Sequence, residues 1–268
     1  MGRIGRSFQL VAESYRVLMQ DKELMVLPLI SGVVMVVAVA GFAVPIGIGG
    51  AIQTGHGAVA ILFLPVYVVL YAIGIFFQAA LVAGATERMK GGDPTVRSAL
   101  HAAWRRIGPI LIWAVIAATV GMVIRAIHDR VGFVGRIVAA IAGAAWSFAT
   151  FFVVPVLVLE DRPVGESFSR SVSVFKQTWG ETVVGQVSLG AAAVCAWLTL
   201  VAVTGLLAWA VGLAALPVFV VGAIVLMIFF PALQGVYVAS LYRYATEGAA
   251  PAGFNQALLD QAFAPKAR

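Results

Sequence analysis

Long apolar runs alternate with short mixed segments along the whole chain. The runs fall at about 24–48, 57–86, 107–127, 133–159, 182–212 and 216–243. Each meets the requirement of roughly 20 residues for a helix to cross a hydrocarbon layer. Backbone polar groups in lipid must be satisfied within the segment or by a closed barrel, and the period-2 alternation of a barrel is absent, so the runs predict helices. Apolar character is nearly continuous from Val183 to Val238, and Pro217, which lacks an amide donor, predicts the break near Leu216.

Between the runs a pattern recurs. Phe76-Phe77, Phe151-Phe152 and Phe229-Phe230 each close an apolar stretch, and a Pro-x-x-x-Ser/Asn step follows at Pro94 to Ser98, Pro163 to Ser167 and Pro251 to Asn255. The mixed segments carry helical stripes. Phe8, Val11, Tyr15 and Leu18 oppose Arg6, Gln9, Glu13 and Arg16; Val96, Leu100, Trp104 and Ile107 oppose Arg97, His101 and Arg105; Phe168, Val172, Phe175 and Trp179 oppose Ser169, Ser173 and Lys176. Aromatic faces set against basic ones predict helices lying in the membrane interface, with Phe8, Arg16, Trp104, Arg105, Phe168, Lys176 and Trp179 as candidate membrane contacts. A trailing segment of the same kind is expected over 251–264.

The expected fold class is therefore all-α: a polytopic membrane helical bundle of about six transmembrane helices arranged as three hairpins, each preceded by an interfacial amphipathic helix. The whole chain, 1–268, reads as one integral membrane domain with repeat units over about 5–90, 94–160 and 163–246.

Composition supports this and excludes a water-soluble globule. Hydrophobic residues make up 62% and charged residues 11%, against about 25% charged in soluble domains. Of the 18 basic residues, all but Arg125, Arg130 and Arg136 fall before the first run, after the last, or in the second-to-third and fourth-to-fifth connections. Basic loops stay in the cytoplasm, so both termini are expected there, in a multi-pass protein of the cell membrane. The net charge of +6 reads as topology and as attraction to anionic lipid headgroups; no basic module for nucleic acid is present. Glu13, Asp21 and Glu23 within the basic start argue for a retained first span over a cleaved leader.

Chemistry-bearing patterns are scarce. His56, His101 and His128 lie in separate segments, no Cys/His/carboxylate spacing resembles a metal site, and the glycine clusters follow no phosphate-cradling pattern, so neither an enzyme nor a cofactor is expected. Cys195 reads as a small apolar residue. Polar groups inside the spans are costly, which makes Gln78, Gln186, Gln234, Ser147 and Ser188 the candidate lining of a polar path. Their plainer role is inter-helix hydrogen bonding, at about 0.6 kcal/mol each.

Ser7-Phe8, Asp21-Lys22-Glu23-Leu24 and Pro28-Leu29-Ile30-Ser31-Gly32, with the Glu-Asp-Arg-Pro stretch that ends at Pro163, resemble an uncharacterised family of prokaryotic six-span membrane proteins, a domain of unknown function. The plan is also similar to the membrane domains attached to some glycerophosphodiesterases, without their catalytic motif. The resemblance implies an envelope membrane protein and brings no activity. Two functions fit: a non-enzymatic channel- or transporter-like bundle, working as a homo-oligomer, or a lipid-interacting scaffold that organises the bilayer or a partner complex.

Overall fold

The computed structural model describes the backbone of residues 3–48 and 56–247 and the side chains within 11–42, 65–180 and 182–247. Among them the fold is all helix: α1 (Arg3–Gln20), α2 (Val26–Ile48), α3 (His56–Met89), α4 (Val96–Trp104), α5 (Ile107–Arg130), α6 (Phe133–Ala149), α7 (Val153–Leu159), α8 (Val164–Val211) and α9 (Leu216–Glu247), with short 3-10 turns at Lys22–Met25 and Gly212–Ala215. Five segments are long and apolar enough to cross a membrane, at Lys22–Phe42, Pro65–Met89, Ile107–Arg130, Phe133–Leu159 and Thr182–Glu247. The last is 66 residues long and contains the Gly212 turn.

Three boundaries differ from the sequence expectation. The chain breaks at Gly212, whose φ of +61° lies in the left-handed region that glycine enters freely. Pro217 sits instead in the first turn of α9, where its missing amide costs nothing. The fourth run is interrupted at 150–152, between α6 and α7. The third amphipathic segment and the fifth run are one continuous helix, the 48-residue α8, because nothing between Lys176 and Thr182 stops it: Gly180 is an isolated glycine, which a helix interior tolerates at about 1 kcal/mol.

Two compact units are present, and their boundaries fall inside helices. The first comprises 1–29, 84–96 and 176–268; the second comprises 30–83 and 97–175. In the first unit α1 packs on α9, burying Ser14, Val17 and Leu18, while the ring of Tyr15 meets Phe229 at 6.0 Å. The buried face of α1 is thus rotated slightly from the Val11-Tyr15 stripe expected. Also in this unit α9 runs back along α8. Gly185 faces Tyr237 and Leu200 faces Gly222, and Leu200 lies as far beyond Gly185 as Gly222 lies before Tyr237.

In the second unit α5 and α6 pack against each other across the short 131–132 link, with Trp113 and Trp146 stacked at 5.9 Å and Gly143 against Ile124. Gly74 of α3 leaves room for Met35 of α2. Phe152, Val153, Val156 and Leu157 are fully covered.

The distribution of burial along each helix is uneven. In the first unit α9 is buried over Ala232–Leu233 and Gly235–Tyr242, whereas none of 216–231 is; α8 is buried at Thr178, Thr182, Gly185, Ser188 and Leu189 and beyond them only at Thr204. In the second unit α5 is buried between Ile110 and Ala118 and bare from there to Arg130, and α6 buries only Ala139. In the most apolar 18-residue stretch of each candidate span only 6% to 28% of the residues are buried. Side chains such as Val36, Ile141, Leu206 and Trp209 stand exposed in rows that no water-soluble monomer carries, which fits a hydrocarbon environment.

Candidate functional site

The polar residues expected inside the spans divide between the units. In the first, Ser188 is buried and donates to the carbonyl of Val184 at 2.8 Å, Gln234 is exposed, and Gln186 has its Nε2 buried with no hydrogen-bond partner. In the second, Gln78 is half-buried, and Ser147 is exposed and donates to Gly143 at 2.9 Å. Thr119, Thr199 and Thr204 likewise bond to carbonyls one turn back in their own helices. A hydroxyl bonded in this way has its proton already used within its own helix and keeps only its acceptor lone pairs. Of the five candidates, Gln186 is the one with a buried side-chain atom left without a hydrogen-bond partner.

Small residues at four-residue spacing, Ala139, Gly143 and Ser147 on α6 and Gly235 and Ala239 on α9, suit close helix packing within the chain. Ala139 is buried, Gly143 touches Ile124 of α5, and Gly235 and Ala239 are buried in α9.

A set of residues that the apolar stripes did not reveal holds the start of α8. Ser167 and Ser171 are fully buried, and further along the helix Thr178 and Thr182 are too, with Thr182 donating to the Thr178 hydroxyl at 3.1 Å. Small hydroxyl residues at one-turn spacing allow close helix approach, and this spacing was the available signal. Ser171 has a specific task. Its hydroxyl donates to the carbonyl of Ala149 at 2.7 Å and accepts the amide of Phe152 at 3.0 Å. One side chain thereby serves both the end of α6 and the beginning of α7, where helices leave backbone groups unpaired.

The aromatic residues of the mixed segments take three positions. Trp104 is 65% exposed and Trp179 is also exposed. Phe168 instead packs on protein, stacked with Trp146 at 5.9 Å and tilted against Trp113 at 6.5 Å. The Phe8 side chain, and the expected segment at 251–264, lie outside the described residues. The Phe-Phe pairs all meet edge to face. In two of them the first ring reaches an aromatic on an amphipathic helix: Phe76 meets Trp104 at 6.2 Å and Phe229 meets Tyr15.

Charged residues gather where these segments meet. In the second unit Arg106 pairs with Asp161, and Glu160 accepts from Arg162 at 2.5 Å and from Arg170 at 3.0 Å. Asp161 follows the end of α7 with φ of 56°, a left-handed conformation that aspartate tolerates better than most residues. Helix α4 has a buried side and an exposed side. Ala99 and Ala103 are buried, Trp104 projects outward, and Arg97, His101 and Arg105 form an exposed basic stripe with no carboxylate partner among the described residues. A cleft of about 360 Å³ opens beside it, lined by Ala102, Arg105, Arg106, Val158, Leu159 and Asp161.

Elsewhere Arg16 pairs with Glu13 at 3.0 Å, and Lys176 is exposed. In the first unit Asp21 caps the first 3-10 turn through Oδ1, which accepts from Glu23 N–H at 3.2 Å, while its Oδ2 is buried without a hydrogen-bond partner. Burial raises the Asp21 carboxyl above the usual carboxylate value, opposed by the Glu23 amide and the charge of Arg88. Among the described residues no group of three His, Cys, Asp or Glu could hold a metal ion.

Residues 56–254 match the model of a family described as a family of unknown function (DUF6159). The chain belongs to this family. The DUF6159 match includes the Phe-Phe and Glu-Asp-Arg-Pro region, and begins after the Ser7-Phe8 and Asp21 to Gly32 stretches that first carried the likeness. No curated protein and no solved structure matches this DUF6159 chain.

Proposed function

We propose that this chain is a non-enzymatic, multi-pass protein of the cell membrane that engages anionic lipid headgroups along a basic cytoplasmic face and organises the bilayer around it. In this reading six spans form three hairpins, with both termini on the cytoplasmic side. The observation that carries it is the two-sided surface around α4: alanines turned to protein, and Trp104 exposed beside Arg97, His101 and Arg105, which have no carboxylate partner among the described residues. An interfacial tryptophan beside a basic row is the surface that anionic headgroups attract. Bare apolar halves of the helices leave acyl chains, rather than protein, as their neighbours.

A channel- or transporter-like bundle is the second reading, favoured by the unpartnered Nε2 of Gln186 and by the interruption between α6 and α7. Broken helices surround many transport sites. Here, however, Ser171 already occupies the groups the break exposes. Transport would call for a further copy to complete a path, since Ser147 and Ser188 already donate within their own helices and Gln234 is exposed.

Reconstituted vesicles separate the two. With spin-labelled lipids, the immobilised fraction should be several-fold richer in anionic than in zwitterionic label, with no ion or small-solute flux above protein-free vesicles. Equal immobilisation of both labels, together with measurable flux, would replace the first reading with the second.

A further inference from the structure

We infer that the cleft between the α4–α5 junction and the end of α7 is a binding site for a phosphate group, carried either on a lipid headgroup or free in solution. The inference rests on the lipid-engaging reading and gives it an address.

The cleft lies within one compact unit, and all its walls are described. Its volume of about 360 Å³ would hold roughly ten water-sized groups at about 30 Å³ each, which suits a headgroup and is too small for a folded partner. The walls have two characters. Ala102, Val158 and Leu159 are apolar, while Arg105, Arg106 and Asp161 supply the charge.

The two arginines are in different states. Arg106 is four-fifths buried and held by Asp161, so its guanidinium is fixed in place. Arg105, the next residue, is exposed and makes no ion pair among the described residues. A planar guanidinium with its donor fork unused matches a phosphate in two-point geometry, and the fixed neighbour adds a second positive charge without having to be ordered. Two arginines against one aspartate leave the cleft net positive.

Asp161 is placed for this role by local backbone geometry. Left-handed positions after helices usually take glycine, because it enters that region without strain. Aspartate at φ 56° serves the turn less well but reaches Arg106, as glycine could not.

The surroundings favour an amphiphile over a soluble anion. Trp104 stands exposed immediately before Arg105, and Leu111, Ile112 and Val115 of α5 are exposed on the helix that begins beside the cleft. A phosphodiester seated at Arg105 would have apolar surface available for its acyl chains. Arg97, two turns back from Arg105 on the same side of α4, extends the positive field toward an approaching headgroup.

Native mass spectrometry of the full chain in detergent tests this, using phosphatidylglycerol, phosphatidylcholine and inorganic phosphate as probes. The intact protein should retain one phosphatidylglycerol with at least tenfold preference over phosphatidylcholine. Arg105→Gln should cut that retention about tenfold, Arg105→Lys by less, and Arg130→Gln, at the far end of α5, should leave it unchanged. Displacement of the lipid by millimolar phosphate would show that the phosphate alone suffices; resistance to it would assign the acyl chains a share. Equal thermal midpoints for the variants ensure that a loss is not unfolding. Undiminished retention by Arg105→Gln would overturn the cleft while leaving the lipid-engaging reading intact. Absence of both anionic preference and phosphate binding in the intact protein would overturn both.

Discussion

Gly185 of α8 leaves open the space that the hydroxyl end of Tyr237, fully buried on α9, occupies. A methyl group at Gly185 would overlap the phenol ring. Alanine normally improves a helix interior by about 0.5–1 kcal/mol over glycine. Overpacking against an immobile ring costs about 1–3 kcal/mol and should win. Gly185→Ala is therefore expected to lower the thermal midpoint in detergent. Combining it with Tyr237→Phe, which removes the nearest atom, should be less harmful than the sum of the two changes; strict additivity would show that the contact is not the cause.

Ser171→Ala removes the hydroxyl that serves Ala149 and Phe152 together. Loss of a buried partner costs about 1–3 kcal/mol, and the volume change is too small to account for that much. The expected loss of stability should appear in urea or thermal unfolding. Hydrogen exchange should rise first at 149–153, because the interruption between α6 and α7 is where the bonds are lost.

Asp161 combines a left-handed backbone with an ion pair to Arg106, and substitutions separate the two. Asp161→Gly relieves the backbone and loses the pair, so stability should change by less than about 0.5 kcal/mol, the carboxylate being 84% exposed and screened. Asp161→Ala keeps the strain and loses the pair, and should cost about 1 kcal/mol. Equal stability of the two variants would count against a strained turn.

The buried Asp21 carboxyl has its pKa raised in the folded protein by desolvation. The unfolded chain therefore ionises first as pH rises. Stability should be unaffected below the ordinary carboxylate value, fall as pH climbs from there through the raised folded-state value, and level off above it. Asp21→Asn retains an oxygen to accept from Glu23 N–H and cannot ionise. Unfolding followed against pH should show the intact protein losing stability relative to Asp21→Asn between those limits; parallel curves would refute the desolvation.

Cys195 is exposed on α8, within a stretch apolar enough to cross a membrane. In vesicles it should resist charged maleimides from either side and become reactive once the protein is unfolded in detergent. Rapid labelling by a charged reagent would place that stretch in water.

Sequence pattern located the helices well, because length and apolarity alone decide whether a segment can cross hydrocarbon. It was poorer at faces and breaks. The stripe through Val11 and Tyr15 counted apolar side chains, but the surface α1 turns to α9 includes Ser14. Along α8 the buried residues include Ser167, Ser171, Thr178 and Thr182 beside Val174 and Leu189, while Trp179 is exposed. Between apolar surroundings and an apolar helix, close approach of small residues decides packing, and hydrophobicity gives no preference. Sequence places the break at Pro217 because proline lacks an amide donor, although α3 and α9 carry Pro65 and Pro231 inside them, whereas a glycine's left-handed turn at Gly212 shows only in φ. Of the candidate site, Trp104 and Arg105 were legible as an amphipathic pair. Asp161 and the cleft were not, since they depend on α7 ending where it does.

The ring of Tyr15 rests on Phe229, and α1 on α9, so the first helix of the first unit is completed by the last. During synthesis Ser14, Val17 and Leu18 have no such cover until more than two hundred residues have followed them. The early helices must therefore be inserted and wait. A chain that stalls before Leu216 would present the insertion machinery with that unfinished surface, giving quality control a feature by which to tell a finished copy from a truncated one.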